Sequence, residues 1–226
     1  MSAASRSFAA ARAQTPGEEV ANAVSHGLGA LLAVAALPIL VWHAARYGAA
    51  ADVVGAAVFA ASAIVLYLVS TLYHALPAGA GKRWFARADH AAIYVFIAGS
   101  YTPFTLGVLA GGWGWSLFGI VWAMATLGVV SKLRDRLRHP WVSTALYVAM
   151  GWVVLIAVVP LLERLSTSGL AWLVAGGLSY TLGAVVYLLD HRVRYAHFVW
   201  HLFVLGGSAC HFVAALGPAY VQRLPS

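Results

Sequence analysis

The chain carries one cysteine, Cys210, among its 226 residues. A lone thiol excludes an internal disulfide and any thiolate-based metal site, so a metal would have to be held by histidine or carboxylate. Charge is nearly as scarce. Lys and Arg number 14 and Asp and Glu 7, together 9% of the residues, while 62% are hydrophobic and the mean hydropathy is +0.82. That balance excludes a soluble globular protein. Runs that alternate with period two are also missing, which excludes a transmembrane barrel.

What the sequence does contain is seven apolar runs, at about residues 20–45, 53–76, 88–109, 114–131, 141–162, 170–189 and 196–219. Each is about 18–26 residues long, enough for a helix to cross a hydrocarbon core of about 30 Å. They predict an all-α integral membrane protein, a seven-transmembrane helix bundle in a single domain at 18–226, behind a short basic leader at 1–17 that is expected to be mostly disordered. The first run is too long for a signal-peptide core and lacks a small-residue cleavage site, so a secretory signal is not expected.

The net charge of +7 is a topology signal rather than a sign of nucleic-acid binding. Arg6, Arg12, Lys82, Arg83, Arg87, Lys132, Arg134, Arg136, Arg138, Arg192 and Arg194 flank one side of the predicted spans, against Arg46, Arg164 and Arg223 on the other. The positive-inside rule then predicts a cytoplasmic N-terminus and an external C-terminus, with anionic lipid headgroups as the contact for the basic loops. Pro103 is expected to kink the third span and Pro140 to open the fifth.

Polar groups within such spans need a reason. Ser70 and His74 fall at the end of the second span, Asp89 and His90 at the start of the third, and His197 and His201 at the start of the seventh, all at one depth; Glu19, Asn22 and His26 fall there too. Two histidines four apart project from one helix face and can grip one ion. With His74 as a third nitrogen, the set suits zinc, and three protein ligands leave a fourth position open for water, whose pKa zinc can lower to about 7. Asp89 is then a candidate to accept or orient that water's proton, and Ser70 to hold Asp89 or a substrate carbonyl. His211 is about 15 Å deeper by helix rise and is expected to be a packed core histidine or to line a cavity, with His43, His139 and His191 solvated near loops.

Taken in order, Glu19-x-x-Asn22-x-x-x-His26, Ser70-x-x-x-His74, Asp89-His90 leading to Ala98-Gly-Ser-Tyr-Thr-Pro103, and His197-x-x-x-His201 resemble the motifs of the hemolysin III family. That family is the bacterial branch of the progestin and adiponectin receptor superfamily, itself similar to alkaline ceramidases. The resemblance covers nearly the whole chain from Glu18 onward. It implies zinc on His74, His197 and His201, contact of Asp89 with the zinc-bound water, Ser70 in the same polar cluster, and a multi-pass protein of the bacterial plasma membrane. Glu19, Asn22 and His26 would form a structural or gating motif, with His26 open as a competing ligand.

Two functions of different classes fit. One is an intramembrane zinc hydrolase of lipid amide or ester bonds, whose substrate arrives from the bilayer. The other is a non-enzymatic, receptor-like or membrane-homeostasis protein in which zinc is structural. Cytolysis is a poorer third reading, because the sequence offers no soluble pore-forming domain. Membrane lipids are the expected partners in each.

Overall fold

The computed structural model describes residues 12–137 and 139–216. Most of the expected leader, together with Arg138 and the tail 217–226, lies outside the described residues. Among the described residues, seven helical segments are long and apolar enough to cross a membrane. They are α1 (Pro16–Tyr47), α2 (Ala50–Ala75), α3 (Ala80–Thr102) with a π-helical continuation over Pro103–Leu109, α4 (Gly111–Leu133), a fifth span made of α5 (Pro140–Gly151) and α6 (Val158–Arg164), α7 (Thr167–Tyr187) and α8 (Ala196–Leu216).

The start of α1 is fixed locally. Thr15 is its N-cap, Pro16 occupies the first turn where no amide hydrogen is needed, and Glu18 closes a capping box with Thr15. Val20, Val24, Leu28 and Leu31 are exposed on one side of α1, while Asn22, Ser25, His26, Gly29, Ala30 and Ala33 are buried on the other. The exposed stripe suits acyl chains, and the small buried residues let α2 and α8 approach closely.

Two spans are irregular. Pro103 removes one backbone donor from the third, and the helix continues as a wider π turn to Leu109, whose carbonyl accepts from the Arg164 guanidinium. This turn lies directly against α2: a Cβ on Gly55 would stand 2.7 Å from the Cα of Pro103, so only glycine fits there. The fifth span breaks between α5 and α6 into a 3-10 stretch, Val153–Ala157. Unpaired backbone groups are costly in hydrocarbon. The Tyr101 hydroxyl on α3 meets that need by donating to the carbonyls of Met150 (3.1 Å) and Gly151 (2.6 Å) and accepting from the amide of Val154 (3.0 Å).

Helix α3 begins at Ala80, well before the apolar run that marks it in the sequence, because Lys82, Arg83 and Arg87 are helical although too polar for hydrocarbon. Asp89 is therefore in the third turn of its helix rather than the first, which removes any role for it as a helix-end dipole partner.

Candidate metal centre

The N-terminal turns of α1, α3 and α8 and the last turn of α2 meet at one end of the bundle, where Lys82, Arg83 and Arg87 lie at the start of α3 and Arg192 and Arg194 in the connection before α8. There His74, His197 and His201 each present a ring nitrogen within 4.8 Å of the other two, and all three residues are buried. His74 comes from the end of α2; His197 and His201 lie one turn apart on the inner face of α8.

Each of the three rings is held through Nδ1. His74 Nδ1 is 2.7 Å from Glu19 Oε2 and His197 Nδ1 is 3.0 Å from Asp190 Oδ2. A carboxylate only accepts, so Nδ1 carries the hydrogen in both. His201 Nδ1 is 3.1 Å from Ser25 Oγ, whose own hydrogen goes to the Asn22 carbonyl (2.9 Å), so this Nδ1 also donates. The Nε2 atoms are then bare lone pairs, and all three are buried without a hydrogen-bond partner among the described residues. Three orphaned buried acceptors facing one point are costly unless a cation is shared between them. Their chemistry, three neutral imidazoles fixed in one tautomer, fits zinc.

The remaining polar residues form the frame. Glu19 also pairs with Lys82 at 2.9 Å, and Lys82 in turn donates to the carbonyls of Tyr73 (3.0 Å) and Leu76 (3.2 Å) at the end of α2. Gln14 joins Asn22 (2.6 Å) to Asp190 (3.4 Å). Glu18, buried, accepts both terminal nitrogens of Arg12, at 2.8 and 2.5 Å, and the backbone amide of Tyr195 at 2.9 Å. Tyr195 has a positive φ of 60°, a strained conformation for a bulky residue, immediately before α8. Glu18 thus fixes the turn that aims His197.

His26 reaches the centre but stands outside the three-nitrogen group. Its ring stacks on His201, and its Nδ1 is 2.7 Å from Ser70 Oγ. Ser70 also reaches the buried carboxylate of Asp89. His26 Nε2 is a fourth buried ring nitrogen without a partner among the described residues. Asp89 and His26 border a cavity of about 120 Å³ whose wall is otherwise mostly apolar and runs between α3, α5, α7 and α8. His90 points elsewhere, to the Ala86 carbonyl (2.7 Å) and the Tyr187 hydroxyl (3.4 Å).

Of the residues singled out in the sequence, Ser70, His74, Asp89, His197, His201, Glu19, Asn22 and His26 all gather at this end of the bundle. His211 lies deep in α8 and lines the cavity; His43 is half-buried against Tyr47, with ring centroids 4.9 Å apart. Ser25, Asp190 and Glu18 were not foreseen. Ser25 stands one residue before His26 and three after Asn22, so it belongs to the same helix face, a signal the spacing offered. Asp190 is the one acid in an otherwise basic connection.

The family model described as Haemolysin-III related matches residues 14–212. Hemolysin-3 of Bacillus cereus is 44% identical over 199 residues, covering 88% of this chain and 90% of the relative. The Hemolysin-3 homolog of Bacillus subtilis (strain 168) is 45% identical over 208 residues, covering 92% and 96%. More distantly, the human monocyte to macrophage differentiation factor is 32% identical over 170 residues, covering 71% and 68%, consistent with the wider progestin and adiponectin receptor superfamily. No solved structure matches. With seven membrane-crossing helices and bacterial relatives matched nearly end to end, this chain is a multi-pass integral protein of the plasma membrane and belongs to the Haemolysin-III related family.

Proposed function

We propose that the protein is an intramembrane zinc-dependent hydrolase of lipid amide or ester bonds, with its site in the cytoplasmic leaflet, its N-terminus cytoplasmic and its C-terminus outside. The observation that carries this reading is the convergence of three buried Nε2 lone pairs, each ring locked through Nδ1, beside a carboxylate that opens on an apolar cavity. His74, His197 and His201 would hold the ion. Zinc, when bound, supplies Lewis-acid activation of water and of a carbonyl. Asp89 would take a proton from the attacking water and return it to the leaving amine or alcohol. Ser70, itself 2.7 Å from His26 Nδ1, would hold Asp89 in position. The apolar wall accommodates an acyl chain and keeps bulk water from the reacting bond. The basic loops at the same end favour the leaflet rich in anionic lipid.

The test is fatty-acid release from ceramide-like lipids by the purified protein in lipid nanodiscs, beside His201→Ala and Asp89→Asn, with metal analysis of each preparation. Release by the unaltered protein alone supports hydrolysis; equal release from all three overturns it.

A second reading, a structural zinc in a receptor-like or membrane-homeostasis protein, has one observation in its favour. Helix α1 packs on both α2 and α8, and an ion on His74 and the α8 histidines would tie those two helices across it. It predicts that Asp89→Asn leaves function intact and that metal removal only lowers thermal stability.

A further inference from the structure

The cavity beside the metal centre is long. Its wall includes Asp89 and Ser100 on α3, Tyr187 and Gly177 on α7, and Trp200 and His211 on α8. Each pair is ten or eleven residues apart, which at 1.5 Å per residue makes the slot about 15 Å from end to end on all three helices.

Polar groups cluster again at the end remote from Asp89, and nearly all spend their hydrogens within the protein. Ser100 donates to the Ile97 carbonyl at 2.8 Å and Thr181 to that of Gly177 at 2.7 Å. Ser208 gives its hydrogen to the Val204 carbonyl, so the Tyr180 hydroxyl, 3.1 Å away, donates to Ser208. Tyr101 is occupied by the break in the fifth span.

His211 is the exception. Its Nε2 lies 3.3 Å from the Leu173 carbonyl, which can only accept, so Nε2 carries the hydrogen and Nδ1 is a bare lone pair. Nδ1 is buried and has no partner among the described residues. Its Cδ2–Nε2 edge rests on Gly176, where any Cβ would collide with it. The edge bearing Nδ1 faces away from that backbone.

We propose that His211 Nδ1 is the acceptor for a hydroxyl carried within the apolar chain of an amphiphilic ligand, about 15 Å from the polar group held near Asp89. This rests on reading the cavity as a lipid chamber. An amide would present an N–H here equally well, but its carbonyl would then need a donor, and Ser100, Thr181, Tyr180 and Tyr101 have none to spare. A hydroxyl satisfies His211 at the least desolvation cost.

The test measures binding of free fatty acids to the purified full chain in nanodiscs: stearate against hydroxystearates whose hydroxyl is moved stepwise along the chain. Preference for one hydroxyl position over stearate by about tenfold is expected. His211→Phe, or His211→Leu if phenylalanine is not accommodated, should remove the preference without abolishing stearate binding. His211→Asn, which puts an amide oxygen near the place of Nδ1, should keep it. Equal affinity across the series, as when an ordered water occupies Nδ1, overturns the proposal, as does failure of every acid to bind or a preference that survives His211→Phe. Free acids contain no bond to cleave, so a negative hydrolysis assay and a negative binding assay are separate results.

Discussion

The His26 ring lies flat on His201, with centroids 3.4 Å apart and planes 6° from parallel. Because His201 is also held through Nδ1 by Ser25, one face and one edge of the ring are fixed, and both constraints come from α1. Helix α1 supplies none of the three convergent nitrogens yet orients two of the three rings: Glu19 acts on His74, and Ser25 and His26 on His201, while Asp190, in the connection before α8, holds His197.

If the centre binds zinc, the groups on Nδ1 matter although they never touch the ion. Glu19→Ala and Asp190→Ala should each weaken metal affinity by about 10–100-fold with all three histidines in place. Competition against a chelator of known affinity measures this; unchanged affinity in both would show that the rings need no such support.

His74→Ala should lower bound zinc well below one ion per chain, read by elemental mass spectrometry, whereas His90→Ala should leave it unchanged. Zinc content unaffected by His74→Ala would remove His74 from the ligand set.

Asp89→Asn separates the two functional readings. Its side chain is nearly isosteric, so zinc and thermal stability should persist while lipid hydrolysis falls by about 100-fold or more, the usual weight of a proton-transfer group. Undiminished turnover would exclude Asp89 as the general base.

Glu18 and Thr15 are expected to act on stability. Thr15→Ala removes an N-cap at a cost of about 1 kcal/mol. Glu18→Ala should lower Tm further, since it also releases Arg12 and the amide of the strained Tyr195. A Tm for Glu18→Ala equal to that of Thr15→Ala would mean that the contact with Tyr195 contributes nothing.

Gly55→Ala should destabilise by about 1–3 kcal/mol, because the new methyl meets the Pro103 backbone, which cannot move aside as a side chain would. Thermal unfolding in detergent reads this directly, and an unchanged midpoint would show that the π turn yields.

Much of this was legible in the sequence. The seven spans follow from hydropathy, and the three histidines and Asp89 from their common depth, because burial in hydrocarbon makes each intramembrane polar residue conspicuous. Asp190 was not, since it sits beside His191, Arg192 and Arg194 in a connection where charge is unremarkable. Its value comes only from contact with His197, one helical entry away in space. The break in the fifth span was hidden as well. Its residues from Trp152 to Val159 are uniformly apolar, and what permits the break is a hydroxyl on another helix, Tyr101. Glu19 could be placed near the site but not assigned to His74, because the partner of a side chain depends on rotation about the helix axis.

The frame of α1 around the histidines also bears on the order of assembly. Helices emerge from the ribosome from the N-terminus onward, so α1 and α2, which pack on each other, are present together long before α8. That early pair already contains His74 with Glu19 at its Nδ1, and Ser25 and His26 waiting for a ring not yet made. The last helix to insert thus docks onto a prepared cradle, and a chain that stops short of α8 presents the cradle without the residues that complete it.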